Sequence, residues 1–190
     1  MRTYIYFIRH TESPNNFSDE KNRKISEKGK IDAEKLANIL KNENIDLVVS
    51  SSYKRAIETV KPLANILKKK IILRDELVER SIKNKNKIYK NKKTLKAIRK
   101  SFADIDYCLP GGETTKHAQG RAIPIIKNLL TKHRGKKIAL GTHGNIMTII
   151  LNYFDKAYGF NFWLSTSKPD IYKAEFDGLK LKSVGRIWKK

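Results

Sequence analysis

The sequence lacks the features that mark disulfide-stabilised or membrane-spanning proteins. It contains one cysteine, Cys108, so no disulfide can form within the chain, and we expect a reducing, cytoplasmic environment. No apolar run approaches the roughly 20 residues that a membrane helix needs. We also expect no signal peptide ahead of the first strand. These absences predict a cytoplasmic protein without a membrane contact.

Acidic residues are scarce as well. The 190-residue chain has 19 Asp and Glu against 41 Lys and Arg, which gives a formal net charge of +22. Such a surplus predicts an anionic partner, either a phosphorylated small molecule, a nucleic acid or a membrane surface. Charge alone does not choose among these partners.

Several catalytic motifs are missing from the chain. Thr114 stands six positions after Cys108, where a cysteine-dependent phosphatase needs an arginine, and no glycine-rich loop ends in lysine and serine or threonine. The histidines at 10, 117, 133 and 143 show no metal-ligand spacing, so we expect no metal and no cofactor. His117 and His133 are expected at the surface or at helix ends.

Apolar strand-like runs alternate with helical periodicity along most of the chain. This pattern predicts a three-layer α/β/α sandwich around a mostly parallel sheet, and the length suits one domain over residues 1–190. Ser26 is a plausible N-cap for the first helix. The predicted strands lie at 4–8, at 45–52, within 69–80, directly before Thr142 and on both sides of the turn at 177–178. The predicted helices follow Ser26 and Gly144 and occupy 53–67 and 117–130.

Polar residues follow two of the predicted strands. Arg9 and His10 come directly after the first strand, and His143 follows a later one. Arg55 falls in the first turn of a helix that follows a strand, where amide groups add anion-binding capacity. Because the carboxyl ends of parallel strands face the ligand crevice, these side chains are candidates for a site. A guanidinium fits phosphate or carboxylate, while an imidazole serves as nucleophile, base or ligand, or only as a structural hydrogen-bond partner.

A lysine-rich segment spans residues 80–100, with ten basic residues and no acidic one. Such a block is typical of a solvated helix or loop. A substrate-facing lid and a polyanion-binding face are the alternatives.

Five segments appear in an order that resembles the histidine phosphatase superfamily, the phosphoglycerate mutase-like group. They are RHTES with Asn16, SSSYKRAIET, DELVER, PGGET and THGN, and the resemblance covers residues 3–151. It implies the same α/β/α sandwich that the periodicity predicts.

The resemblance also implies a division of labour. His10 would attack phosphorus and form a phosphohistidine, while Arg9, Arg55 and His143 would surround the transferring phosphoryl group. Glu79 would give a proton to the leaving alkoxide and later take one from water.

Secondary roles follow from the same resemblance. Asn16, Thr11 and Gly144 would bind the phosphate or the substrate. Thr11 stands where the family most often has glycine, and the residues after Glu79 lack the family's usual glycines. The wall that faces the substrate is therefore unlike the common one, and Glu76 or Glu113 are alternative acids.

The predicted function is a metal-independent phosphomonoesterase that hydrolyses a phosphorylated small molecule through phosphohistidine. One alternative is a cofactor-dependent phosphoglycerate mutase. Another is a polyanion- or RNA-binding protein with a degenerate phosphatase site, which the intact set of basic side chains disfavours; nucleic acid stays a possible partner. The substrate and the oligomeric state are not readable from the sequence.

Overall fold

The structure, a computed structural model, describes residues 1–14, 19–84 and 91–189. Asn16 and the first lysines after Asn84 lie outside the described residues.

A six-stranded sheet forms the centre of the molecule, with strand order β3-β2-β4-β1-β5-β6. Strands β1 to β4 run parallel, β5 pairs antiparallel with β1, and β6 pairs antiparallel with β5. The prediction of an α/β fold around a mostly parallel sheet is confirmed. The strands are β1 (Arg2–Arg9), β2 (Leu47–Ser51), β3 (Ile71–Arg74), β4 (Lys137–Thr142), β5 (Asp170–Asp177) and β6 (Lys180–Arg186).

Helices cover both faces of this sheet. On β1, Ile5 and Phe7 pack into one apolar core with α4 and α5, while Tyr6 and Ile8 pack into another with α1 and α2. A strand that is buried on both faces reads as a continuous apolar run, as this one does. The helices are α1 (Glu27–Leu40), α2 (Lys54–Ile66), α3 (Asn91–Ala103), α4 (Thr115–Lys132), α5 (Gly144–Phe154) and α6 (Phe160–Ser165), and a 3-10 turn spans Asp75–Leu77.

Helix caps set two of these boundaries. Ser26 is the N-cap of α1, as predicted, and its Oγ accepts a hydrogen bond from the Gly29 amide at 3.0 Å. The side chain of Thr114 accepts from the His117 amide at 3.0 Å, so α4 begins two residues before the predicted 117. A cap of this kind is worth about 1 kcal/mol because it satisfies an otherwise unpaired donor.

A third, smaller apolar cluster lies beside the main cores. It joins α3, α6 and the turn after residue 106, and Phe160 and Trp163 pack against it from α6. Part of the lysine-rich segment is therefore helical, as one of the predictions has it, since α3 begins at Asn91. Within the described residues, no helix combines the length and apolarity needed to cross a membrane.

Candidate active site

The pairing of β1 with β4 brings the two strand-end histidines together. Arg9 is opposite Thr142 in the parallel register, and the His10 amide donates to the Thr142 carbonyl at 3.0 Å. The next residue on each strand is therefore His10 and His143, whose ring centroids lie 5.3 Å apart. Sheet register alone places both imidazoles at one edge.

His10 is buried, and its hydrogen bond fixes the reactive nitrogen. Its Nδ1 lies 2.7 Å from the Thr11 carbonyl, which can only accept, so Nδ1 carries the proton and Nε2 keeps its lone pair. Burial, followed by the charge of Arg55, lowers the pKa of His10 well below its ordinary value. The ring is therefore neutral near pH 7, with a nucleophilic nitrogen at Nε2.

His143 presents the opposite nitrogen to the site. Its Nε2 lies 2.8 Å from Ser51 Oγ, and that hydroxyl oxygen accepts from the Tyr53 amide at 3.3 Å. The contact with Ser51 occupies Nε2 and leaves Nδ1 as the ring nitrogen for a ligand. Burial and the charge of Arg55 lower the pKa of His143 as well. Nδ1 is buried and has no hydrogen-bond partner among the described residues.

Arg9 lies flat against the start of α5. Its Nη1 donates to the carbonyl and the hydroxyl of Thr166. A Cβ built on Gly144 would lie 2.7 Å from the Arg9 Cζ and 2.8 Å from its Nε, so a side chain at 144 would displace the guanidinium. The glycine is needed here for close approach rather than for a turn.

Arg55 is held from the opposite side. Its side chain is 1% exposed, and its Nη1 donates to the Glu20 carbonyl at 2.7 Å while Nη2 pairs with the Glu20 carboxylate at 3.1 Å. The guanidinium also lies over the Tyr53 ring, 4.9 Å from the centroid. These contacts fix the orientation of a buried cation beside both histidines.

Four buried nitrogens at this edge lack hydrogen-bond partners among the described residues: Arg9 Nε, Arg55 Nε, His143 Nδ1 and Asn145 Nδ2. An unpaired buried donor costs free energy, so native proteins rarely keep one without a use. The two arginine nitrogens and the amide nitrogen are donors, and His143 Nδ1 is a donor when it carries the ring proton, which suits an anionic ligand with several acceptor oxygens.

Asn145 was not among the residues predicted from sequence. Its Oδ1 accepts from Arg80 Nε at 2.9 Å, which turns its amide nitrogen away from Arg80. Arg80 also donates to Ser101 Oγ at 3.0 Å, and burial lowers its pKa to about 10. The expected surface position of the lysine-rich block is therefore wrong for Arg80, which is 4% exposed because it braces Asn145 against α3.

Glu79 lies at the N-terminus of α5. One carboxylate oxygen accepts from the amides of Ile146 at 2.9 Å and Arg80 at 3.0 Å, and the other accepts from the Asn145 amide at 3.1 Å. It thereby satisfies amides that the N-cap residue, His143, leaves unpaired. These three hydrogen bonds fix the orientation of the carboxylate at the start of α5.

The two alternative acids lie in different surroundings. Glu113 pairs with Arg121, at 2.7 Å to Nε and 2.9 Å to Nη2, and with His117 Nδ1 at 2.9 Å. Although burial opposes it, hydrogen bonding from Arg121 and His117 lowers the pKa of Glu113. Glu76 lines a separate cleft with Pro124 and neighbouring side chains of α4.

The structure thus brings His10, Arg9, Arg55, His143 and Glu79 to one edge of the sheet. Their catalytic roles stay predictions.

The three residues predicted to bind the phosphate or the substrate have different outcomes. Gly144 contacts Arg9, as described. The described hydrogen bonds of Thr11 go to the His10 ring and to Thr59 Oγ1, 3.0 Å from its amide, so it orients the nucleophile, and its predicted phosphate contact stays a prediction. Asn16 lies outside the described residues.

Sequence reasoning also missed Ser51 and Lys168. Ser51 ends β2, next to β4 in the sheet, and the serine run there is the signal that could have found it. Lys168 has no local signal, yet desolvation of its ammonium group and then repulsion from Arg9 lower its pKa, although the residue as a whole is exposed.

Metal ligands are not grouped in this site. Across the part of the chain that the structure describes, no three His, Cys, Asp or Glu residues are placed to hold a metal ion together.

Comparison with known proteins gave matches to a family and to solved structures. Residues 5–180 match the family model of the histidine phosphatase superfamily, branch 1. A mycobacterial glucosyl-3-phosphoglycerate phosphatase superposes with a TM-score of 0.77 at 16% identity, covering 98% of this chain and 97% of its own. No curated protein sequence matches the chain significantly.

Two further solved structures have the same fold. A phosphoglycerate mutase from Bacillus anthracis has a TM-score of 0.78 at 19% identity and covers 98% of this chain and 92% of its own. A candidate alpha-ribazole-5'-P phosphatase from Escherichia coli has a TM-score of 0.76 at 15% identity and covers 97% of this chain and 95% of its own.

Proposed function

Because the chain belongs to the histidine phosphatase superfamily, we propose that it is a metal-independent phosphomonoesterase that acts through a phosphohistidine on His10. The observation that carries this proposal is the state of the His10 ring. Its Nδ1 proton is engaged with the Thr11 carbonyl, so a neutral Nε2 lone pair lies among buried, unpaired donors.

In the first step, His10 Nε2 attacks the phosphorus of a bound monoester in line with the leaving oxygen. A P–N bond forms, the P–O bond to the alcohol breaks, and the leaving alkoxide takes a proton from Glu79. In the second step, water attacks the phosphohistidine, gives its proton to Glu79 and releases phosphate as the P–N bond breaks. Both steps avoid a direct attack of water on the ester.

Arg9, Arg55 and His143 stabilise the charge on the equatorial phosphoryl oxygens. Phosphoryl transfer depends mainly on positioning and on such charge stabilisation. Contacts with Thr166, Glu20 and Ser51 fix these three side chains through their other nitrogens. Their unpaired nitrogens therefore need not reorganise during the reaction.

Hydrolysis is favoured over mutase chemistry by the spacing between Glu79 and His143. Family mutases tend to carry more insertion in this interval. Of the three solved structures named above, one is described as a glucosyl-3-phosphoglycerate phosphatase, one as a candidate alpha-ribazole-5'-P phosphatase and one as a phosphoglycerate mutase. We therefore infer a phosphorylated small molecule as the substrate and keep phosphoglycerate mutase activity as the second candidate.

We place the protein in the cytoplasm, because its one cysteine, half-buried Cys108, cannot form an internal disulfide. Neither a metal nor a bisphosphoglycerate cofactor enters the proposal.

The test is a phosphatase screen over sugar phosphates, nucleotides, phosphoglycerates and phosphopeptides, run with EDTA present and without bisphosphoglycerate. We expect phosphate release, and rapid quench with labelled substrate should trap an acid-labile, base-stable adduct. Recovery of activity only after a divalent ion is added would contradict metal independence. Strict dependence on bisphosphoglycerate would favour the mutase.

The adduct assay needs a variant of the nucleophile. His10→Ala should lose both the adduct and turnover, because no other ring nitrogen replaces Nε2. His117→Ala, which changes an exposed histidine on α4, is the matched control and should retain both. Full turnover by His10→Ala would contradict the mechanism.

A further inference from the structure

A groove outside the phosphoryl site remains unexplained by the proposed reaction. It has a volume of about 730 Å³ and lies between α1, the segment before β5 and the residues after β6. Its lining includes four lysines, Lys28, Lys35, Lys168 and Lys189, together with Trp188.

The groove begins at the same edge of the sheet as His10. Strand β5 is antiparallel to β1 and β6 is antiparallel to β5, so the start of β5 and the end of β6 lie beside the carboxyl end of β1. Thr166 accepts a hydrogen bond from Arg9, and Lys168, two residues later, lines the groove. One short segment therefore borders both the phosphoryl site and the groove.

The phosphoryl site has cations of its own. Arg9 and Arg55 both act on His10 and His143, and contacts with Thr166 and Glu20 fix their guanidinium groups. Lys28, Lys35 and Lys189 of the groove are therefore not needed for the transferred phosphoryl group.

The groove keeps a positive surplus of its own. Asp32 pairs with Lys28 at 2.7 Å and with Lys35 at 3.6 Å, so one carboxylate is shared by two ammonium groups, and Lys189 adds a third. Trp188 gives the groove an apolar wall, against which a sugar or base ring can pack.

We propose that this groove binds a second anionic group of the substrate, so that the enzyme prefers phosphomonoesters whose body carries a further phosphate or carboxylate. The inference rests on the proposed function, which it deepens. Lys168 bridges the two sites, Lys35 and Lys189 hold the second anion, and the ring of the substrate packs on Trp188.

The test compares adenosine 5'-monophosphate with adenosine 3',5'-bisphosphate at low ionic strength. We expect kcat/KM to be about tenfold higher for the bisphosphate, since two partly exposed ion pairs contribute modestly and are screened by salt. The double variant Lys35→Ala/Lys189→Ala should bring the ratio close to one, while hydrolysis of p-nitrophenyl phosphate stays unchanged.

The control is a double variant with the same loss of charge. Lys61→Ala/Lys132→Ala removes lysines from two other clefts and should keep the preference for the bisphosphate. An equal loss in both double variants would show that the overall charge is responsible and would overturn the proposal. A bisphosphate that is no better than the monophosphate would also overturn it.

Failure of the proposed function is distinguishable from failure of the groove. If p-nitrophenyl phosphate is not hydrolysed, the proposed reaction is wrong. Calorimetric measurement of adenosine 3',5'-bisphosphate binding then tests the second anion site without turnover. Binding that is lost only in Lys35→Ala/Lys189→Ala supports the second anion site. Binding that is unaffected in this variant overturns it.

Discussion

At the scale of single residues, one hydrogen bond to each imidazole determines which ring nitrogen is available to a ligand. The Thr11 carbonyl keeps the His10 proton on Nδ1, and the Ser51 hydroxyl contacts Nε2 of His143. His10 therefore offers Nε2 to the site, and His143 offers Nδ1. Two rings of the same type acquire different roles from one hydrogen bond each.

Glu79→Gln tests the proton donor. We expect it to slow hydrolysis of an alkyl phosphate far more than that of an aryl phosphate, because only an alkoxide leaving group needs a proton. The measurement is kcat for the two substrate types. Glu76→Gln is the control and should matter less, since Glu76 lines a separate cleft.

The opposite result would also be informative. Equal loss on both substrate types means that the proton of the first step comes from elsewhere and that Glu79 acts on water alone.

Gly144→Ala tests the close approach of Arg9. The added Cβ would meet the guanidinium, so Arg9 should shift and kcat/KM should fall by roughly tenfold to a hundredfold through lost charge stabilisation. Gly120→Ala on α4 is the matched control, because nothing lies within 4 Å of a Cβ built there. It should leave kinetics unchanged and stabilise the helix by about 1 kcal/mol. Wild-type kinetics in Gly144→Ala would contradict this account of the glycine.

At the scale of elements, α4 supports the segment that carries Glu79. Arg121 pairs with Glu113 and donates to the carbonyls of Glu76 and Val78, just before Glu79. The PGGET sequence therefore contributes to the site through Glu113, which holds the arginine, rather than by touching the reacting atoms.

Arg80→Met tests the link between α3 and α5. The change removes a buried guanidinium that donates to Asn145 Oδ1 and Ser101 Oγ, and we expect about 2–4 kcal/mol lower free energy of unfolding. Turnover should fall as well, because the Asn145 amide loses its orientation. Denaturant unfolding and kcat are the two readouts.

The control for Arg80→Met comes from the same basic segment. Lys96→Met changes an exposed residue of α3 and should alter stability by less than about 0.5 kcal/mol. Equal effects of the two substitutions would show that the buried contacts of Arg80 do not contribute to the free energy of unfolding.

At the scale of the whole molecule, the pH dependence of the free energy of unfolding reflects protonation of the two buried histidines. Their folded-state pKa values lie well below 6.5, so the unfolded chain binds protons first as the pH falls through 6.5. The free energy of unfolding should therefore decrease as the pH falls from this value, by up to about 1.4 kcal/mol per pH unit for each histidine.

The measurement is denaturant unfolding between pH 7 and pH 5. The double variant His10→Asn/His143→Asn should show a flatter pH dependence, whereas His117→Asn, an exposed change, should keep the original slope. The slope rather than the absolute stability is compared, so loss of packing in the double variant does not affect the conclusion. An unchanged slope in the double variant would contradict the neutral state of both rings.

The sequence by itself determined the local parts of this protein. The apolar run of β1, the cap at Ser26 and the placement of Arg55 in a first helical turn depend on residues near one another in the chain, and periodicity and capping chemistry report such neighbours. His10 and His143 were found in the same way, because each follows a strand.

The tertiary structure decided everything that joins distant residues. Strand order puts β4 between β1 and β2, which sets His143 beside His10 and brings Ser51, 92 residues away, onto its ring. The burial of Arg80, the amides around Glu79 and the approach of Lys168 to Arg9 likewise depend on contacts across the fold. Helical and strand periods specify which face of an element is buried, but they do not specify which element covers it.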